Sequence, residues 1–292
     1  RSHVKPTQTV ALAGTNSFAS VSLNADSGTA QSLAFSTDLT VTTLNVDAGA
    51  TSLTLSETTG KTATLTNAVV GGSLTSIALT GAGSFSLGGS QATTVTSIDG
   101  SALSAGTLSA TLGSVAGTLK GGAGGDTLVG GSKADTINGG AGADGITTGG
   151  GVDTLTGGDT TSKDTFTISG AAAGTATAQI TITDFATAAA HTATAAIIAD
   201  TIVLKDGGNI SGTGVVNAAA TNLTSAASLA DALNLLAAGD GGTNAIISFG
   251  TWGGDSYIVI DNTAGATLAS TDTVIKLVGV TNLAAADMAY AA

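Results

Sequence analysis

No cysteine occurs among the 292 residues, so disulfides and thiolate metal sites are both excluded. An exported chain without that staple needs another, and a divalent metal is the usual substitute. Aromatic residues are scarce at 3%, too few for a core of large side chains. That scarcity suits a thin, stacked architecture filled by Val, Ile, Leu and Thr. Disorder is argued against by 42% hydrophobic residues and a mean hydropathy of +0.40. Glutamate is almost missing: of 20 acidic residues, Glu57 is the single Glu and the rest are Asp. Asp favours turns and oxygen-ligand sites where Glu favours helices, so the acids are expected in turns. Basic residues number eight, scattered singly, against a net charge of −12. No patch for nucleic acid or anionic lipid results, and nucleic acid is not expected as a partner. No apolar run reaches the roughly 18 residues that a membrane-spanning helix requires. Catalytic signatures are missing as well. The chain has no H-E-x-x-H or G-x-S-x-G, and its two histidines are His3 and His191. The expectation is a protein that is not an enzyme, with His191 a solvated loop residue.

What is present falls into three segments. Residues 7–120 are a Thr/Ser-rich run of short strand patterns separated by Gly, Asn, Asp and Ser. Leu39–Val46, 52–56 and 73–79 each alternate apolar and hydroxyl residues, the period of a half-buried strand. A loose similarity recurs in 41–49, 73–81 and 94–102, which suggests rungs of roughly 20 residues in a β-solenoid. A β-sandwich with strands spaced about 8–12 residues apart is the competing architecture. Residues 121–168 are a glycine-rich repeat block, and 169–292 form a third segment. There, strands are expected at 178–183, 200–204 and 273–279. A helix is expected at about 225–238, capped by Thr224 or Ser225 and ended by Gly239, with Leu229, Leu233 and Leu236 on one face. A hairpin should join 245–252 to 256–261 through Gly253-Gly254-Asp255. The polar start, Arg1 to Pro6, is unlike a signal peptide, so either the terminus was trimmed or export uses another signal. Arg1-Ser2-His3 resembles a cloning remnant.

Aligned in nines, the block runs from Gly121 to Val129, Gly130 to Asn138, Gly139 to Thr147 and Thr148 to Thr156. A fifth, irregular copy begins at Gly157-Gly-Asp159 and resumes at Asp164. Each copy places Asp at its sixth position (126, 135, 144, 153) and Leu or Ile two residues later. Six residues make a turn in which glycine permits positive φ and inward-facing carbonyls. Three then make a strand whose apolar residue (Leu128, Ile137, Ile146, Leu155) enters a narrow core. This resembles the G-G-x-G-x-D-x-U-x nonapeptide of the RTX family, where U is a large apolar residue.

The resemblance implies two nonapeptides per turn of a parallel β-roll, so that every second copy stacks on one edge. Asp126 would then lie over Asp144 and Asp135 over Asp153, on opposite edges. Stacked carboxylates repel unless a cation lies between them, and calcium, with six to eight oxygen ligands at flexible geometry, suits them better than magnesium. The expected ligand set is Gly122, Gly124, Asp126, Gly131, Lys133, Asp135, Gly140, Gly142, Asp144, Gly149, Gly151 and Asp153, with Asp159 and Asp164 from the irregular copy. At least two calcium ions are expected, one per stacked pair, with a third joining Asp144 to Asp159 or Asp164. Two copies depart from the pattern: Lys133 replaces the fourth-position glycine and Thr148 a first-position glycine. Asp26, Asp47 and Asp99 are read as ordinary turn residues.

The resemblance reaches past the repeats. Residues 95–102 leading into Gly121, then 228–233, 237–240, 252–261, 263–268 and 274–279, look like surface-layer proteins of the Caulobacter type. That implies an all-β fold: a parallel β-solenoid and β-roll with a C-terminal β-rich cap carrying one short helix. It also implies a secreted cell-surface coat protein whose partners are copies of itself in a two-dimensional lattice. Export would use a type I secretion machinery that reads an uncleaved C-terminal signal. Attachment to cell-surface polysaccharide would use parts outside this chain. A calcium-dependent adhesin is the main alternative, and the carboxyl-terminal module of a secreted protease or lipase is another. Trp252 and Tyr257 flank the hairpin turn and read as core packing or as a small ligand platform.

Overall fold

The computed structural model describes residues 16–23, 30–58, 60–67, 69–169, 178–187, 199–205, 215–216, 223–238, 246–262 and 267–291. It divides into two compact units, 1–145 and 146–292. The expected segment limits at 120 and 168 are drawn on sequence character, whereas this division falls inside the repeat block, within the short strand Gly145–Thr147. The residues expected to cap the helix C-terminus (Gly239), the loop around His191 and the turn at Asp26 lie outside the described residues.

In the first unit β1 (Asn16–Leu23), β3 (Leu39–Val46), β5 (Thr62–Leu65), β7 (Ser84–Leu87), β9 (Leu108–Thr111) and β11 (Thr127–Val129) pair in that order. A second sheet takes β2 (Ala30–Phe35), β4 (Ser52–Glu57), β6 (Ser76–Gly81), β8 (Ser97–Leu103), β10 (Thr118–Lys120) and β12 (Thr136–Gly140). Pairing among them is parallel, each strand bonding to the one two places on. The result is a parallel β-solenoid of about six turns. The sandwich alternative is thereby set aside.

Alternation explains why these segments are strands. In β3, Leu39, Val41, Leu44 and Val46 are buried while Thr40 and Thr42 face out. Register then separates two gauges of coil. The wide gauge places Ala63 opposite Leu39, Ser84 opposite Thr62 and Ser97 opposite Ser76. The tight gauge belongs to the repeats, where Thr127 faces Ser109 and Thr136 faces Thr118. Bonds between successive coils measure the difference. Thr62 reaches back to Asp38 across a sequence separation of 24, and Thr96 to Thr75 across 21. Leu108 and Asp126 are separated by only 18. The wide coils leave room for an edge-to-face pair, Phe35 on Phe85 at 5.5 Å between ring centres, which spans the two sheets. The tight coils are filled by single residues such as Leu119, Leu128 and Ile137, each fully buried.

The second unit opens with β14 (Thr154–Gly158), β15 (Thr165–Ile168), β16 (Ile180–Ile182) and β17 (Thr201–Lys205), following the short strand β13 (Gly145–Thr147). These continue the parallel habit: β14 pairs with β16 and β15 with β17. A cap follows. β19 (Ile246–Trp252), β20 (Asp255–Asp261) and β21 (Thr273–Leu277) form an antiparallel meander, joined by parallel pairing of β21 to β16. Gly253 and Gly254 take φ of 63° and 92°, the two left-handed positions that a tight hairpin turn requires. A two-residue strand, β18 (Val215–Val216), flanks β19, and β22 (Met288–Ala291) flanks β17.

The helix α1 (Leu229–Ala237) starts later than expected, with Ser228 as its cap rather than Thr224 or Ser225. The Ser228 hydroxyl accepts the Asp231 N–H at 3.2 Å and donates to the Asp231 carboxylate at 2.7 Å. Leu233 and Leu236 pack on Leu223, Tyr257, Val259 and Val274, while Leu229 is partly buried against the same cluster. Burying each such leucine stabilises the cap by about 1.5–3 kcal/mol. Tyr257 is part of this core and Trp252 packs on it, so the two aromatics act as packing residues and form no open platform. Among the described residues no helix is long and apolar enough to cross a membrane.

Candidate metal centre

The corners of the tight coils bring the expected ligands together. Asp126 ends the turn before β11 and Asp135 the turn before β12, so they occupy opposite edges of the first unit. Both are buried. Asp126 accepts the Leu108 N–H at 2.6 Å through Oδ1 and the Gly122 N–H at 2.7 Å through Oδ2. Asp135 repeats the arrangement, taking Gly117 N–H at 2.8 Å and Gly131 N–H at 2.7 Å. Each carboxylate therefore fastens its own turn and reaches one coil back. Asp144 stacks on the same edge as Asp126, its Oδ1 accepting the Asp126 N–H at 2.7 Å.

These bonds temper the repulsion between the stacked carboxylates. Backbone donors offset part of the negative charge at Asp126 and Asp135. Burial is nevertheless the larger effect and pushes both carboxyls above the usual carboxylate range, against the amide bonds that pull them down. Ionised carboxylates are thus held at a cost that a bound cation would relieve.

Glycine conformation separates the turns. Gly140 and Gly142, the second and fourth positions of the third copy, take φ of 108° and 105°; Gly149 and Gly151 in the fourth copy take 86° and 103°. Gly122, Gly124 and Gly131 are not in the left-handed region. Thr148 occupies a first-glycine position yet leaves that pattern intact. It is buried, and its hydroxyl donates to the Ser169 carbonyl and accepts the Ser169 N–H, both at 3.0 Å. Lys133 is exposed, in a turn closed by the Gly131–Asp135 bond.

The remaining expected residues divide. Asp153 is buried in the second unit. Asp164 is buried, and its N–H donates to Asp200 Oδ1 at 2.9 Å, as the Asp126 N–H does to Asp144. Asp159 holds a local turn, accepting the Thr161 N–H at 2.6 Å and the Thr161 hydroxyl at 2.7 Å. Two acids that sequence reasoning passed over serve the irregular copy. Asp184 accepts the N–H groups of Gly157 and Gly158 at 2.8 and 2.7 Å, and Asp200 adds the Ala186 N–H at 2.8 Å. Asp47 opens a turn, accepting the Gly49 N–H at 2.8 Å, whereas Asp99, expected in a turn, lies in the strand β8 and accepts the Ser101 N–H at 3.0 Å.

The donor set suits a hard cation. Around the stacked turns 121–126 and 139–144 the neighbours are carboxylate and carbonyl oxygens with no bulky side chain between. A Cβ on Gly140 would lie 2.2 Å from the Gly122 oxygen, and one on Gly121 would lie 2.0 Å from both Asp126 Oδ2 and the Gly139 oxygen. Among the described residues no group of three or more His, Cys, Asp or Glu gathers to hold a metal. A cation here would therefore take most of its ligands from backbone carbonyls. Oxygen-only, carbonyl-rich coordination at flexible geometry fits calcium and suits magnesium poorly.

Residues 120–159 match the RTX calcium-binding nonapeptide repeat, in four copies. Repeats of this kind bind calcium, and proteins that carry them are typically secreted. No curated protein matches the chain.

Proposed function

We propose that the chain is a non-enzymatic coat protein of a cell surface, exported by a type I system and assembling into a surface layer once calcium is bound. The observation that supports this reading is a calcium-binding repeat in a chain whose solenoid presents one outer face of repeated chemistry. On one sheet of the first unit Thr40 faces Thr64, Thr64 faces Ser86 and Ser86 faces Ser109, so hydroxyls recur coil after coil. A face with one repeated chemistry and few charges suits lateral contacts between identical copies better than recognition of a small ligand. Low cytosolic calcium would leave the glycine-rich turns open during export, and external calcium, binding only the closed form, would stabilise it by mass action.

Electron microscopy of the full chain with and without calcium tests the assembly. Ordered sheets that need calcium are expected. Calcium-bound particles that remain dispersed would contradict the coat and favour an adhesin. The export signal is tested separately: removing residues after 210 should abolish secretion while calcium binding persists, and normal secretion of that variant would remove the type I assignment.

A further inference from the structure

Charge is sparse on the strands of the first unit. From β1 to β12 they contain three charged residues, Glu57, Asp99 and Lys120. Glu57 is fully buried, so Asp99 and Lys120 are the charged side chains that these strands turn outward. They are neighbours. Lys120 of β10 lies in register with Asp99 of β8, Nζ to Oδ2 at 3.8 Å, with side-chain exposures of 48% and 40%. Asp99 Oδ1 accepts the Ser101 N–H at 3.0 Å and the Ser101 hydroxyl at 2.5 Å. Around the pair this sheet presents uncharged polar groups. Ser52, Ser76, Ser97, Thr118 and Thr136 follow one another in register through β4, β6, β8, β10 and β12, and Asn138 lies beyond Lys120. The other sheet of the unit has outward hydroxyls such as Thr64, Ser86 and Ser109 and no charged strand residue.

Two copies of a chain with a net charge of −12 repel at long range, so they meet best where a face sums to zero. Both sheets satisfy that condition, but they differ in what they say about alignment. A column of hydroxyls looks the same after a slip of one coil. One acid beside one base marks a single position, and it is self-complementary under a two-fold axis. An axis along the strands, midway between β8 and β10, exchanges the two rows. Lys120 would then lie against the partner's Asp99, and Asp99 against the partner's Lys120. Ser97 would meet the partner's Thr118, each hydroxyl able to donate and to accept. We propose that this sheet face is a contact with a second copy of the chain, and that the Asp99–Lys120 pair sets its register. The inference rests on the coat reading and names one contact that a lattice would use. Exposed ion pairs add little affinity, so the pair selects one alignment while the hydroxyl rows supply the area.

Mixing two charge variants of the full chain in calcium tests this. Lys120→Asp leaves two acids on the face and Asp99→Lys leaves two bases, so each variant repels its own copies. Sedimentation should show the self-association of each alone weakened at least about tenfold, and an equimolar mixture restored to near the wild-type value. The circular dichroism of both variants in calcium should match the wild type, because the two side chains are exposed and lie outside the repeat turns. A mixture as weak as its components would reduce the pair to a contact within one chain and overturn the proposal. Variants that associate like the wild type would overturn it too, and in both cases the coat reading stands. Wild-type protein that stays monomeric in calcium would remove both.

Discussion

The first unit contains two gauges of coil, and their corners are built differently. Wide coils have room for long polar side chains turned inward. Buried Gln31 links the Leu23 carbonyl at 3.1 Å to the Asp47 N–H at 3.2 Å. Gln91 accepts the Val69 N–H at 3.1 Å, and Glu57 holds the Gly60 N–H at 2.6 Å. Tight coils have no such room. Their corners use Asp, one methylene long, against glycines whose missing Cβ would meet neighbouring backbone at distances such as 1.8 Å for Gly131 on the Gly113 oxygen. A wide coil can satisfy a turn with a neutral amide or with a longer carboxylate such as buried Glu57, whereas the tight coils bury short aspartates. The match to calcium-binding repeats falls where the coil is shortest.

That contrast can be broken in three places. The largest effect belongs to the wide coils: Phe85→Ala removes the edge-to-face partner of Phe35 from a fully packed interior and should cost about 3–5 kcal/mol. Denaturant unfolding should give the same loss with and without calcium, since no repeat turn is touched; a loss seen only with calcium would merge the two gauges. Next is Gly140→Ala, which forces a non-glycine residue to φ of 108° and drives Cβ to 2.2 Å from the Gly122 oxygen. A cost of about 1–3 kcal/mol is expected from backbone strain alone, with calcium affinity falling alongside. Gly60→Ala is its control: φ is 73° but no atom lies within 4 Å, so a smaller loss and unaltered calcium affinity should follow. Equal calcium loss in both variants would show that the tight corner has no special role.

The smallest effect contrasts a lysine-paired carboxylate with the repeat aspartates. Burial alone would raise Asp255, but the Gly279 N–H at 2.8 Å and the Lys276 ammonium at 2.8 Å hold it below its ordinary value of 3.8. Its stabilisation is therefore present above that value and is lost as pH falls through the lowered one. Lys276→Met should move the Asp255 titration upward and cost under about 1 kcal/mol at neutral pH, read by carboxyl NMR and thermal melts. A titration left in place would mean that the Gly279 amide does the holding alone.

Much of this architecture is written locally. Alternation in Leu39–Val46 marks a strand because one face is buried, and the nine-residue phase of Asp126, Asp135, Asp144 and Asp153 fixes where turns fall. Parallel pairing is not local, since alternation is the same in a sandwich; only the register of Ser84 on Thr62 or Ser97 on Ser76 decides it. The strand expected from Ser73 starts at Ser76, after a turn that alternation extends across. The helix cap was readable as Ser228 three residues before Asp231, a spacing that favours reciprocal bonding over Thr224 or Ser225. The fasteners Asp184 and Asp200 were not, because their partners in the irregular copy lie more than a full coil back along the chain. Gln31 and Gln91 stay hidden for the same reason: a buried glutamine is recognisable only once the coils are stacked.

The most direct test of the account is a calcium titration of the metal-stripped full chain, followed by calorimetry and circular dichroism. Saturable binding with a gain of β structure and a rise in Tm is predicted, with magnesium much weaker and Asp144→Asn reducing the affinity. No heat of binding and an unchanged Tm in calcium would contradict the claim that the nonapeptide coils are closed by that ion.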